Sequence, residues 1–183
     1  MLKNNKGFTM AELLIVVAII AVLVAISIPI FNAKLEKSRE TVDIHMTRNI
    51  ASIAQEFYYS GVNDETSAKA AGMGWYSSGN NSNAFAVYDP TSGKFYKSWN
   101  DYIDAGGKPY GKGTKTDGGT EIEDVSGKLI YDPKLDYTNA GCQVCIFPYG
   151  KKRVEVAWKI VQKGNTRPFI GGDNHPVYTI YLD

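Results

Sequence analysis

Glu12 is the only charged residue between Lys6 and Lys34, and it interrupts an otherwise apolar or small-residue stretch. A carboxylate at the centre of a bilayer costs about 2.5–3.5 kcal/mol. Glu12 lies near the N-terminal end of the stretch, where snorkelling or protonation lowers that cost. The positive end of a helix would also favour it there. A second chemistry fits the same residue. A cut between Gly7 and Phe8 would leave a free α-amine on Phe8, with Glu12 as the fifth residue of the shortened chain. In a stagger of parallel helices, the amine of one copy can sit against the carboxylate of the next. Two groups that are each costly in an apolar bundle become tolerable when paired. Such a pair would set axial register, as one buried polar residue does in a coiled coil.

Other groupings carry weaker chemistry. Cys142-Gln143-Val144-Cys145 has the C-x-x-C spacing, but in a strand-patterned stretch rather than at the start of a helix. Residues three apart on a strand point to opposite faces, so two buried thiols and one local disulfide both remain open. Gly106 to Lys112 fits G-x-x-x-x-G-K, but Gly113 stands where the magnesium-binding hydroxyl belongs and no helical pattern follows. The expectation there is a long, flexible, glycine-rich loop from Gly106 to Gly119 rather than a phosphate site. Asp117, Glu121, Glu123 and Asp124 match no calcium loop and read as solvated acids. Lys151-Lys152-Arg153 reads as a solvated hairpin tip; three charges would give DNA or another anionic surface only salt-sensitive binding. Asn80-Asn81-Ser82 is a formal glycosylation triplet. His45 and His175 are the only histidines and lack a nucleophile context, so no enzymatic activity, metal or cofactor is expected.

These residues need elements to hold them. From Leu13 to Ile26 every residue is apolar, and Phe8 to Phe31 spans about 24 residues, more than the roughly 20 needed to cross a bilayer as a helix. Conventional signal cleavage fits poorly, because Phe31 would occupy a small-residue position before Ala33. Lysines before the run favour a cytoplasmic N-terminus, although Lys34, Lys37 and Arg39 follow it. Past Phe31, Leu35, Val42, Met46, Ile50, Ile53 and Phe57 recur at helical spacing. Lys34, Glu36, Lys37, Arg39, Glu40, Asp43 and Arg48 fall between them. The spacing predicts one helix from Phe8 to about Tyr59, roughly 78 Å long, ended by Ser60-Gly61 and packed on the rest of the chain through the apolar stripe. Glu36, Glu40 and Asp43 place like charges together, which is costly on an exposed face. Pro29 removes a backbone bond and should kink or loosen the helix, either as a bend at the membrane surface or as a point that melts when the helix changes surroundings.

The chain has 183 residues and a formal charge of +1, which excludes bulk nucleic-acid binding by net charge. Twelve tyrosines and 18 glycines suggest a turn-rich, β-rich exported surface. Residues 61 to about 83 read as a loop with Trp75 and Tyr76 as anchors and a short helix near Ala68–Ala71. Ala84–Tyr88 and Lys94–Ser98 read as a hairpin, Trp99–Ala105 is ambiguous, and Lys128–Tyr131 is a short strand. Cys142–Phe147, Val154–Val161 and Val177–Leu182 complete an antiparallel sheet of about four strands.

Lys6-Gly7-Phe8-Thr9-Met10-Ala11-Glu12, followed by an unbroken apolar helix containing Pro29, resembles the type IV prepilin signature of bacterial pilins, the class III N-terminal methylation signal. The resemblance covers Lys6 to Phe31 and continues loosely to about Tyr59; Met10-Ala11 replaces the commoner leucine and valine. It implies an α+β fold, a long N-terminal helix packed on a C-terminal antiparallel β-sheet head. The parts are a leader at 1–7, a membrane and assembly helix at 8–31, its amphipathic half at 32–60 and a head at 61–183. It implies cleavage after Gly7 by a prepilin peptidase that also N-methylates Phe8. It implies assembly through Glu12 and Pro29 into a homo-oligomeric helical filament, driven by an assembly ATPase and a platform protein. The subunit would wait in the cytoplasmic membrane and then serve on the cell surface in adhesion, motility or DNA uptake, with a host surface or DNA as partner. A pseudopilin of a secretion or competence machine is a second reading. A single-pass anchor bearing a ligand-binding domain, with its leader retained, is a third.

Overall fold

The structure, a computed structural model, describes residues 7–111, 113–116, 119–162 and 167–182. Helix α1 (Met10–Tyr59) begins at Thr9, whose extended backbone and side chain cap it. It ends in paired C-terminal bonds: Val62 N–H donates to the Phe57 carbonyl and Gly61 N–H to that of Tyr58. Gly61 takes a φ of 104°, a conformation a side chain would strain. Helical assignment runs through Pro29 without a break, so the expected loosening is not an interruption of the helix. Ser27 Oγ donates to the Leu23 carbonyl at 2.7 Å, one turn back.

The fold is α+β. The remaining elements are α2 (Glu65–Ala70), β1 (Gly74–Tyr76), β2 (Asn83–Asp89), β3 (Lys94–Tyr96), α3 (Trp99–Asp104), β4 (Ile122–Glu123), β5 (Leu129–Tyr131), β6 (Ala140–Phe147), β7 (Arg153–Ile160) and β8 (Val177–Tyr181). The main sheet has the order β1-β2-β6-β7-β8, with β3 also on β2, and every pairing is antiparallel. The expected hairpin is β2–β3, and the four expected long strands are β2, β6, β7 and β8. Trp75 and Tyr76, expected as loop anchors, lie in β1. The ambiguous stretch after Ser98 is α3, capped by the Ser98 side chain accepting from Asp101 N–H at 3.1 Å. The strands β4 and β5 form a separate pair.

The core lies between α1 and one face of the sheet. Ile50, Ala51 and Ala54 meet Ala84, Ala86, Val144, Ile146, Val154, Val156 and Trp158. Small residues on both sides let helix and sheet approach closely. Full burial of a residue such as Ile146 stabilises by about 1.5–3 kcal/mol. On the opposite face α3 buries Trp99 and Tyr102 against Val87, and Trp99 Nε1 donates to Gln143 Oε1 at 2.9 Å.

The head-facing side of α1 differs from the expected stripe. Its buried residues are Glu40, Asp43, Thr47, Ile50, Ala51 and Ala54. Leu35 and Val42 are exposed, while Met46, Ile53 and Phe57 are half-buried. Ile50, Ala51 and Ala54 form the centre of the contact with the sheet, and Met46 and Phe57 pack at its edge. Trp158 then reaches Thr47, its Nε1 donating to Thr47 Oγ1 at 3.0 Å. The expected flexible loop is also partly wrong. Gly113 and Thr114 are buried. Tyr110 N–H and Gly111 N–H donate to the Ala140 and Thr138 carbonyls at 2.8 and 2.9 Å.

Candidate functional site

The N-terminal site is built on the first turn of α1. A helix leaves its first N–H groups without intrahelical partners. Here Glu12 N–H donates to Thr9 Oγ1 at 3.2 Å, while Thr9 N–H donates back to Glu12 Oε2 at 2.8 Å. The Thr9 hydroxyl also donates to that oxygen at 2.8 Å. This reciprocal capping holds the carboxylate beside the helix start, one turn from residue 8. A side chain built at Gly7 would meet nothing within 4 Å, so packing inside the chain does not require glycine there. Phe8 is 88% exposed. From Met10 to Phe31 every residue is exposed, whichever way it faces. This helix is long and apolar enough to cross a membrane. Pro29 lies on it, about 25 Å along the axis from Glu12 at 1.5 Å per residue.

The remaining candidates do not converge on this turn or on one another. Cys142 and Cys145 are free thiols on opposite faces of β6, so the disulfide reading does not hold. Burial pushes both thiols up, that of Cys145 to about 11, which removes thiolate reactivity near neutral pH. Lys112, the cation of the phosphate-loop pattern, lies outside the described residues, as does Asp117. Asp124 accepts from Ser126 Oγ, Ser126 N–H and Lys128 N–H, bonds that tie a turn and hold its carboxyl below the ordinary carboxylate value. Glu121 pairs with Lys134 at 2.8 Å. Among the described residues, no group of three or more His, Cys, Asp or Glu is placed to hold a metal ion.

At the β6–β7 turn, Lys151 lies 4.1 Å over the Tyr181 ring. Arg153 pairs with Glu155 at 2.7 Å and stacks on Phe147. Two of the three basic side chains are thus engaged within the chain. Ser82 of the glycosylation triplet is buried and caps its own turn. His45 is exposed on α1, and His175 stacks on Phe169 with centroids 3.6 Å apart.

Sequence reasoning missed a second constellation. Asp43 is fully buried, and its Oδ2 accepts from both Thr114 N–H and Thr114 Oγ1 at 2.8 Å. The Tyr131 hydroxyl lies 2.7 Å from Thr114 Oγ1 and 3.2 Å from Asp43 Oδ2. Glu36 Oε2 accepts from Lys115 N–H at 2.9 Å. Burial raises the Asp43 carboxyl above its ordinary value, and the Glu36 charge adds to that; the bonds from Thr114 and Tyr131 oppose it. The sequence signal was the costly run of acids at 36, 40 and 43. Such a run points to a face where the acids have other work.

One comparison with known proteins falls on the N-terminal stretch. The family model described as the prokaryotic N-terminal methylation motif matches residues 2–28. The chain is 44% identical over 70 residues to the type IV wide pilus major component PilA4 of Thermus thermophilus, a match that covers 38% of this chain and 53% of that protein. The chain thus spans about half the length of the curated relative it matches. No solved structure matches it significantly.

Proposed function

We propose that this chain, a type IV pilin by its N-terminal methylation motif and long apolar helix, is a structural subunit of a surface pilus. It is cleaved between Gly7 and Phe8, methylated on the Phe8 amine, and polymerised through α1 into a homo-oligomeric helical filament. Before assembly, residues 8–31 hold it in the cytoplasmic membrane and residues 61–183 form the head. A prepilin peptidase, an assembly ATPase and a platform protein act on it. The filament serves adhesion, motility or DNA uptake.

The observation that supports this reading is where α1 leaves its apolar residues. The whole surface from Met10 to Phe31 is exposed, and Leu35 and Val42 continue it away from the head. A subunit that exchanges lipid for neighbouring copies needs such a helix. Glu12, capped in this uncleaved chain, then has a free amine to meet on the next copy.

Mass spectrometry of the N-terminus, taken from the protein in its working state, tests the reading. A chain beginning at N-methyl-Phe8 is expected. A chain still beginning at Met1 would overturn it in favour of a simple membrane anchor. Antibody against the head should label long sheared surface fibres; label confined to the envelope would favour a secretion-type pseudopilin.

A further inference from the structure

The carboxylates on the head-facing side of α1 hold a loop in a way that depends on their charge. Residues 113–116 lie between α1 and the backbone at Tyr137. Tyr137 N–H donates to the Thr114 carbonyl at 2.7 Å. A Cβ at Gly113 would come within 2.7 Å of Tyr137 Cβ, so the segment is closely seated on that side too. On the helix side it is held by Asp43 Oδ2 and Glu36 Oε2, through bonds that span 71 and 79 residues of sequence. Asp43 uses only one of its oxygens. Its Oδ1 is buried and accepts no hydrogen bond. A carboxylate in such a place carries an uncompensated desolvation cost. A proton on Oδ1 removes the buried charge and so lowers that cost, while Thr114 still donates both bonds to Oδ2, each weaker than to a carboxylate.

We propose that residues 113–116 are a strap that grips α1 through Asp43 and tightens when the Asp43 carboxyl takes up a proton. Burial and the Glu36 charge favour the protonated form of Asp43, while the bonds from Thr114 and Tyr131 favour the charged one; burial is the largest of these. Glu36 and Glu40 on α1 are acids, and each has a cationic neighbour one turn away, Arg39 for Glu36 and Lys37 for Glu40. Tyr131 on β5, together with Tyr110 and Tyr137 on the adjoining segments, is neutral across the physiological range. Burial raises all three, Tyr110 to about 12. Lys115 contributes only its backbone N–H, and its side chain is exposed. Lys112 and Asp117 lie outside the described residues. Because the site raises the Asp43 carboxyl, its contribution is fully present below the ordinary carboxylate pKa and is lost as pH rises through the raised one. The strap holds residues 36–43 of α1, while residues 50–54 are held by the apolar core. Its opening therefore lengthens the part of α1 that stands free of the head without unfolding the sheet. This device is independent of whether the chain polymerises.

Amide hydrogen exchange on the full chain in detergent micelles tests it, followed from about pH 4 to about pH 9 and corrected for intrinsic exchange. The Thr114 and Lys115 amides should lose protection as pH rises, about tenfold for each unit by which the site raises the carboxyl. The Val144 and Val156 amides in the central strands should hold theirs. Asp43→Asn should abolish the dependence, with the strand amides reporting that the head is still folded. Constant Thr114 protection in the unsubstituted chain would overturn the proposal, whatever the variant does. The unsubstituted slope persisting in Asp43→Asn would also overturn it.

Discussion

The two halves of α1 invert one another. From Met10 to Phe31 the helix carries apolar side chains on every face and buries none of them. Its one acid, Glu12, is capped locally by Thr9. From Leu35 to Phe57 the helix buries Glu40 and Asp43 on the head side and leaves Leu35 and Val42 outside. Hydrophobic burial is the main favourable term in folding and association. The first half gains none of it within the chain, so its burial must come from lipid or from other copies. The second half combines an apolar contact at 50–54 with a polar one at 36–43.

The same substitution made in each half would separate them most sharply. Ile50→Ala removes a fully buried side chain facing the sheet, and should cost about 2–5 kcal/mol in denaturant unfolding of the head followed by tryptophan fluorescence. Ile20→Ala should change the same measurement by less than about 0.5 kcal/mol. Equal losses would mean that the two halves share one folding unit. A smaller effect is expected at the polar contact. Asp43→Ala strands the Thr114 donors and should destabilise the head by about 1–3 kcal/mol. Asp43→Asn keeps an acceptor and removes the charge; it should stay within about 1 kcal/mol of the unsubstituted head and fall off less with rising pH. If both variants lose stability equally, the carboxyl oxygen is not what holds the loop. The smallest effect belongs to Thr9→Ala, about 1 kcal/mol of cap. It should appear as faster amide exchange confined to the first turn of α1. Faster exchange in the head would show that the first half is coupled to it after all.

Sequence made one half of this contrast far more legible than the other. A run with no polar competitor admits one reading, and Gly61 after Ser60 marks the end of α1 by the backbone conformation it alone takes easily. Strands β2, β6, β7 and β8 were visible in their apolar patterning and turn residues. The rotation of α1 was not. Leu35, Val42, Met46, Ile50, Ile53 and Phe57 form a valid helical stripe; Ile50, Met46 and Phe57 do pack on the core, but Leu35 and Val42 turn outward and Ala51 and Ala54 join Ile50 at the centre of the contact. The strap was hidden for a similar reason. Its glycine-rich composition reads as loose chain, while the groups that fix it lie 71 and 79 residues away. In the candidate site, Glu12 stood out as the one charge in the apolar run, while Gly7 and Phe8 were marked by the resemblance to the prepilin signature. The bonding of Glu12 to Thr9 follows from the helix start and could have been read from the S/T-x-x-E pattern. The cysteine pair remained open until β6 placed its members on opposite faces.

In the proposed function, Glu12 serves the filament rather than the membrane. The most direct test compares surface fibre yield from cells producing the unsubstituted chain and Glu12→Ala, with membrane insertion and leader removal measured alongside. Glu12→Ala subunits should insert and be processed normally, accumulate in the membrane and give few fibres. A normal yield of fibres from Glu12→Ala would contradict the role assigned to the carboxylate in setting register between copies.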